Sequence, residues 1–223
     1  MLNNNLQQQV SLIFNEIYVG GKEATLGELL DIIESGARPR GGAENDGIPS
    51  IGAENIERFG VYDFSKDKYI SEQFYSSLNR GKVYSGDVLL YKDGAYTGKV
   101  SMALDDFPHK VCAVNEHVFI LRTQNNRLQF ALYTLIARDD IRQKIYTLAS
   151  SKAAQPGLNQ NELRSVKILI PSESELVKFE RFASPIMHQI ARNANENRQL
   201  ASLRDSLLPK LMGGEIDVSQ VEI

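Results

Sequence analysis

The chain has 223 residues, of which 42% are hydrophobic and 24% charged, and its formal net charge is −3. This balance argues against a protein that simply coats nucleic acid, but it allows a local basic surface on an acidic body. The single cysteine, Cys112, excludes an intrachain disulfide and fits a reducing compartment. No apolar run approaches the roughly 18 residues of a membrane span, and the opening MLNNNLQQQ has no signal-peptide core. We therefore expect a soluble, cytoplasmic protein without a membrane partner.

Residues 2–18 have the period of a short amphipathic helix. The apolar positions that share one face are Leu6, Val10, Ile13, Phe14 and Ile17. Gly20 and Gly21 end this helix. The segment resembles the end of the chain, because aligning Leu6 with Leu200 also aligns Gly20 with Gly214. If this weak repeat is real, two related helices bracket the central domain.

The central domain begins at Thr25. TLGELLDIIESG predicts a short helix or a helix–strand unit, and a glycine-rich loop follows at residues 36–47. Ile48 and Ile51 are expected to be buried in a strand. Residues 61–80 predict a hairpin that leads into a short helix.

Two further strands are predicted at Val88 to Tyr91 and Lys99 to Leu104. The dipeptide Asp93-Gly94 between them is a hairpin signal. Another strand has its buried core at Val118 to Leu121.

The apolar period returns to 3.6 from Leu128 to Thr147, which predicts one helix. A polar loop, residues 149–163, separates it from a last strand at Val166 to Pro171. Ser172 and Glu175 form a capping-box pattern for a helix that ends near Ala183. The fold class predicted is α+β, with a mixed α/β domain followed by a long C-terminal helix.

The last amphipathic run extends from Ser184 to Ile216. Ser184 is a suitable N-cap, Pro185 suits the first turn, and Gly213 with Gly214 supplies the stop. The predicted seam consists of Ile186, Ile190, Asn193, Asn197, Leu200, Leu203, Leu207 and Leu211. Asparagine at a seam position can fix register and partner number. Two interpretations are open: an ordinary core helix, or a coiled-coil arm that meets a second copy or a partner.

The sequence contains no convincing catalytic constellation. GAYTGKV has three residues between its glycines where a phosphate-binding P-loop needs four, and Val100 stands where that loop has Ser or Thr. His109, His117 and His188 are scattered without metal-ligand spacing. These features argue against an enzyme that acts alone and against a metal site.

Several stretches together resemble the specificity (S) subunit of type I restriction–modification systems. LASLRDSLLPKLMGGEIDV, at residues 200–218, resembles the family's distal repeat, and NNNLQQQVSLIF resembles the end of its central repeat. TLGELLDIIESGARPR, GDVLLYKDGAYTGKVSMA and AAQPGLNQNELRSVKILIPSESELVKFERFASPI resemble the entry, middle hairpin and exit of a target-recognition domain.

One departure from the family matters. A full member has two target-recognition domains and two spacer helices, whereas this chain has one of each. The resemblance therefore implies either a half-subunit or the C-terminal half of a full one. A half-subunit would restore the full arrangement as a homodimer whose C-terminal helices pair as an antiparallel coiled coil. The expected divisions are an N-terminal helix at 1–21, a target-recognition domain at 22–171, a helical spacer at 172–216 and a tail at 217–223.

Three loops carry groups suited to DNA. Cations and backbone N–H groups contact phosphates, and Arg, Lys, Asn or Gln can read base edges. The candidate DNA contacts are Arg38, Arg40 and Asn55 in the first loop, Lys92, Tyr96, Thr97 and Lys99 in the second, and Ser151, Lys152, Gln155, Asn159 and Gln160 in the third. For each residue alone, an ordinary solvated loop position is the better interpretation; the set in a chain of this kind favours contact for about half.

The resemblance also implies partners and chemistry. The partners are double-stranded DNA, type I methyltransferase subunits that use S-adenosylmethionine, and restriction subunits that use ATP with Mg²⁺. This chain itself would be non-catalytic, would hold no cofactor, and would direct adenine methylation and restriction. Two alternatives stay open: a methyltransferase-binding assembly or decoy protein without productive DNA recognition, and a cryptic nuclease, which the lack of an acidic metal cluster disfavours.

Overall fold

The computed structural model describes residues 2–151 and 157–215. The helices are α1 (Leu2–Val19), α2 (Leu26–Leu29), α3 (Glu72–Ser77), α4 (Gln129–Ala137), α5 (Asp139–Ser150), α6 (Gln160–Arg164) and α7 (Glu173–Met212). The strands are β1 (Lys22–Thr25), β2 (Leu30–Ser35), β3 (Ile48–Ile51), β4 (Tyr69–Ile70), β5 (Val88–Tyr91), β6 (Val100–Met102), β7 (Ala113–Val114), β8 (Val118–Thr123) and β9 (Lys167–Ile170). The predicted α+β class is confirmed, including the long C-terminal helix.

The centre of the domain is a four-stranded antiparallel sheet with the order β2-β8-β5-β6. A three-stranded sheet, β4-β3-β7, and a pair formed by β1 and β9 complete the strands. β5 and β6 form the predicted hairpin, with a 3₁₀ turn at Gly94–Tyr96. The β1–β9 pair closes the domain, because it joins the segment that follows α1 to the segment that precedes α7.

The central sheet is buried on both faces. Alternate residues of a strand point to opposite faces, so Val88 and Leu90 join the larger apolar cluster while Leu89 joins the smaller one. In β8, Phe119 and Ile120 divide in the same way. This two-sided burial explains why the strand sequences are continuous apolar runs rather than alternating ones.

α7 is a single helix of 40 residues, which corresponds to a length of about 60 Å. Ser172 is its N-cap, and the predicted capping box with Glu175 is present. The expected break at Ser184 is wrong, and Pro185 lies inside the helix. A proline there removes one backbone hydrogen bond, but Ala183 and Met187 on either side are buried in the core. Packing therefore keeps the helix continuous.

α1 packs antiparallel on the first half of α7. The rings of Phe14 and Phe179 meet edge to face with centroids 5.0 Å apart, and Asn193 donates a hydrogen bond to the side chain of Asn3 at 2.8 Å. Ala194 is the last buried residue of α7, so the core of the chain covers the helix only up to this point.

The central domain also holds α7 directly. The Arg198 guanidinium lies 4.1 Å from the ring centre of Phe64, and Asn195 donates to the Asp105 carbonyl at 2.7 Å. His188 Nδ1 lies 2.5 Å from an Asp105 carboxylate oxygen. These polar contacts and the α1 interface fix the direction in which α7 leaves the domain.

Three other boundaries differ from the sequence prediction. The helix predicted at residues 128–147 is divided into α4 and α5 by an extended Arg138, whose guanidinium stacks 3.9 Å from the ring centre of Tyr18. The hairpin predicted at residues 61–80 does not form, because β4 pairs with β3. The loop predicted at residues 149–163 contains the end of α5 and the start of α6.

Candidate nucleic-acid interface

The structure brings the three candidate loops to one side of the domain. The first loop reaches the second through the strand-end residues Glu116 and His117. The third segment joins the second where the Leu158 N–H donates to the Lys92 carbonyl at 2.9 Å. Loops that are more than 100 residues apart in the chain thus form one surface.

A chain of charged groups connects the first two loops. Arg38 pairs with Glu116 at 3.0 Å, and the His117 ring lies 3.3 Å from Glu116 and 2.9 Å from Asp93. The same Asp93 carboxylate accepts from Lys92 at 2.9 Å. Arg38 and Lys92 are therefore each paired with an acidic neighbour, and a DNA phosphate must compete with that neighbour.

Lys99 at the end of the hairpin loop is also paired. Its ammonium lies 2.7 Å from Glu57 and 4.5 Å from the centre of the Tyr96 ring. Tyr96 itself is 60% exposed, so its ring presents a flat apolar face beside a cation. That combination suits a sugar–phosphate backbone or a stacked base.

Glu54 adds a further acidic group beside these loops. Burial would raise the pKa of its carboxyl, but the hydrogen bond and positive charge of Lys68 outweigh burial and lower it. The charge of His117 acts in the same direction. Glu54 is thus held ionised, and the candidate surface mixes acidic with basic groups.

Four of the predicted contacts have structural roles, and two of the four are buried. Asn55 is 1% exposed and accepts from the Gly52 N–H, so it closes a turn rather than facing DNA. Thr97 is also buried and donates to the Gly94 carbonyl within the hairpin loop. Ser151 donates to the Leu148 carbonyl, and the Asn159 oxygen caps α6. We withdraw Asn55 and Thr97 as DNA contacts, because burial removes them from solvent.

Two predicted residues are exposed and have free head groups within the described chain. Arg40 lies at the tip of the first loop, and Gln160 is the first residue of α6. Lys152 and Gln155 lie outside the described residues. The contacts of all these residues with DNA stay predictions.

Sequence reasoning missed the acidic partners of the loop cations. Asp93 could have been found, since it is adjacent to Lys92. Glu116 and Glu57 gave no signal, because their pairing with Arg38 and Lys99 depends on contacts far apart in the chain.

The distal part of α7, residues 195–212, is a second candidate interaction surface. Leu200 and Leu203 are each more than half exposed, Leu211 is 37% exposed, and Leu207 is partly covered. Together these four leucines form the distal leucine stripe. The seam prediction is wrong upstream: Ile190 is fully buried, and Ile186 packs against the domain's own core. Asn193 bonds to α1, whereas Asn197 is exposed.

Within residues 2–151 and 157–215, no group of three acidic, histidine or cysteine side chains is placed to hold a metal ion. Over the same ranges, no helix is long and apolar enough to cross a lipid bilayer.

The family model for the type I restriction modification DNA specificity domain matches residues 19–202. The chain belongs to this family. The match extends from the end of α1 into the distal part of α7, so the specificity domain includes both the central domain and the helix that leaves it.

Two curated relatives of this specificity-domain chain are specificity subunits. The type I restriction enzyme MjaIX specificity subunit of Methanocaldococcus jannaschii is 26% identical over 208 residues, which are 92% of this chain and 46% of that protein. The HindI specificity subunit of Haemophilus influenzae is 31% identical over 85 residues, or 38% of this chain and 18% of that protein. This chain spans less than half the length of either relative.

A solved structure has the same fold. It is the S subunit of a type I restriction-modification system from M. genitalium, with a TM-score of 0.58 at 17% identity. The alignment covers 94% of this chain and 54% of that one. The arrangement of a mixed α/β domain on a long helix is therefore shared with a known S subunit.

Proposed function

We propose that this specificity-domain chain recognises a DNA sequence and carries no chemistry of its own. The observation that carries the proposal is the convergence of three candidate loops on one side of the domain, next to a helix that leaves the domain with an exposed leucine stripe. Loops that meet at one surface suit reading of a DNA half-site. A projecting helix suits assembly.

The partners follow from the family. We propose that the chain joins type I methyltransferase subunits, which use S-adenosylmethionine to modify adenine, and restriction subunits, which use ATP with Mg²⁺. The names of the relatives support a place in such a system. In this arrangement the residues described here bind and position DNA, and the partner subunits carry out the reactions.

We propose further that the chain acts as a homodimer. The distal segment continues for about 27 Å beyond the cover supplied by α1, at 1.5 Å per residue. A second copy placed antiparallel would cover the stripe on both helices. Because the four leucines are already partly covered, their burial contributes on the order of 5 kcal/mol per chain, part of which association entropy offsets.

A second function has support in the charge pattern. Arg38, Lys92 and Lys99 are all neutralised by carboxylates, and the chain is acidic overall. These facts favour an assembly or decoy protein that occupies a methyltransferase without productive DNA recognition.

A salt series separates the two functions. The logarithm of DNA affinity should fall linearly with the logarithm of salt concentration, with a slope of about −0.9 for each phosphate contacted. Fluorescence anisotropy over a range of KCl concentrations measures this slope for the chain mixed with its methyltransferase. A slope near zero, together with intact methyltransferase binding, would mean that the assembly function is the correct one.

A further inference from the structure

A cleft lies between the recognition domain and the two helices of the spacer. It has a volume of about 200 Å³, and its apolar floor includes Val10, Val100 and Met187. Ser11 of α1, Arg58 of the loop after β3, and Arg142 of α5 line its walls. Thus α1, α5, α7 and the recognition domain all contribute to one concave site.

Two guanidinium groups line the cleft, and neither has a close ion pair within the described residues. Arg58 is exposed and makes no ion pair within residues 2–151 and 157–215. The Arg142 Nε atom is buried and has no hydrogen-bond partner in the same part of the chain. The Nη1 atom of the same guanidinium lies 3.8 Å from a carboxylate oxygen of the fully exposed Asp139, and the Arg142 side chain as a whole is 43% exposed. A buried N–H of a charged group without an acceptor is costly, and an anion in the cleft would supply that acceptor.

Tyr133 also lines the cleft and lies close enough to feel the charge of both guanidinium groups. Burial raises the pKa of Tyr133 to about 12, and the positive charges of Arg58 and Arg142 oppose this rise. The Tyr133 oxygen accepts from the Phe59 N–H at 3.2 Å, so the ring is held in place. Arg58 and Arg142 therefore line the same cleft, near the Tyr133 ring that the hydrogen bond holds in place.

One acidic residue also lines the cleft, and its charge is already engaged. Glu57 pairs with Lys99 at 2.7 Å. The charged residues that line the cleft are Arg58, Arg142 and Glu57, so its net charge is +1 (two positive, one negative). The sign still favours an anion.

We propose that this cleft binds a phosphate group, held by Arg58 and Arg142. Guanidinium groups present several N–H donors in a planar fork that matches phosphate oxygens. Lys99 of the candidate DNA surface pairs with Glu57 of the cleft lining, so a phosphate of the DNA backbone is one source; this source depends on the function proposed above. A free phosphate or the phosphate of a small metabolite is the other source of the same chemistry.

Such a site would couple DNA binding to the spacer. A phosphate held here contacts α5 and the loop after β3 while it lies against α1 and α7. The recognition domain and its helices would then both contact the DNA backbone. Such a contact orients the domain on DNA but does not read the base sequence.

The test compares Arg142→Gln and Arg58→Gln with wild type and with Arg181→Gln, an exposed arginine of α7 that does not line the cleft. Far-UV circular dichroism and the Tm in chloride first establish that each variant is folded. Inorganic phosphate is then titrated at constant ionic strength, with Tm as the readout. Wild type and Arg181→Gln should gain several degrees more than Arg142→Gln and Arg58→Gln, because phosphate that stabilises only by exclusion acts equally on all four.

DNA titrations distinguish the two sources. If the phosphate belongs to DNA, Arg142→Gln flattens the salt slope by about 0.9 and lowers affinity several-fold for every sequence. If it is a small anion, the phosphate response is lost while the DNA slope stays at the wild-type value. Both results support the cleft, even if wild type binds no DNA and the proposed function fails. Equal phosphate responses in all four proteins would overturn the proposal.

Discussion

Glu180 is the residue at which burial and charge conflict most directly. It lies on α7 and accepts from the Ala131 N–H at 2.7 Å, so a carboxylate meets the first turn of α4. Burial raises the pKa of Glu180 to about 7, although the N–H groups of Ala131 and Phe130 act in the opposite direction. The interface between the long helix and the recognition domain therefore contains a group that titrates near neutral pH.

The raised pKa makes stability depend on pH. The folded chain binds this proton more readily than the unfolded chain, so the contribution is fully present below the ordinary Glu value of 4.5 and is lost as pH rises through about 7. Relative to Glu180→Gln, wild type should lose about 2–3 kcal/mol of unfolding free energy between pH 5 and pH 8. Urea denaturation at both pH values measures the difference, with the exposed Glu173→Gln as the control. Equal losses in wild type and Glu180→Gln would contradict the assignment.

At the scale of elements, α7 consists of two parts with different support. Its first part is buried to Ala194, whereas residues 195–212 have contacts at Asn195 and Arg198 and few beyond. An isolated helix of this length is marginal in water. The long helix is therefore continuous, but we expect its distal part to be less stable than its buried first part.

Hydrogen exchange should show this division. In dilute protein, amides of residues 176–194 should exchange slowly and those of residues 200–212 rapidly, because only the first group lies in the packed part of the helix. At concentrations that favour dimers, the distal amides should become protected. Mass spectrometry of peptic peptides measures both, and the core strand β8 serves as an internal standard. Equal protection along α7 in dilute protein would show that the distal part needs no partner.

Local patterns predicted many elements correctly. Three elements are specified by residues close together in the chain, and the structure confirms all three. They are the capping box at Ser172, the hairpin at Asp93-Gly94 and the strand at Val118 to Leu121. The failures depend on distant contacts. Arg138 breaks a helix by stacking on Tyr18, and Pro185 stays within a helix because its neighbours are buried. The candidate interface shows the same contrast between local and distant contacts. The sequence predicted its loops, but it did not predict that Glu57 and Glu116 pair with the loop cations.

At the scale of the whole molecule, the proposed homodimer depends on the distal leucine stripe. Leu203→Asp with Leu207→Asp places two charges on the stripe and should abolish dimers. Ser202→Asp with Ser206→Asp adds the same charges at the same spacing off the stripe and should leave dimers intact. Light scattering after size exclusion measures the molar mass of each variant, which is compared with 25.0 kDa for one chain. A stripe variant that is still dimeric would place the interface elsewhere.

The symmetry of that dimer also predicts the form of the target. A two-fold axis through paired α7 helices would present the same recognition surface twice in opposite orientations, so each copy would read an identical half-site. Selection from random double-stranded DNA should therefore enrich inverted repeats with a fixed spacing for wild type and for the Ser202, Ser206 variant. The Leu203, Leu207 variant should enrich single half-sites at lower affinity, because it loses the second recognition domain but keeps the first. A wild-type dimer that selects one asymmetric sequence would mean that the two recognition surfaces do not bind DNA together, and the homodimeric arrangement would have to be abandoned.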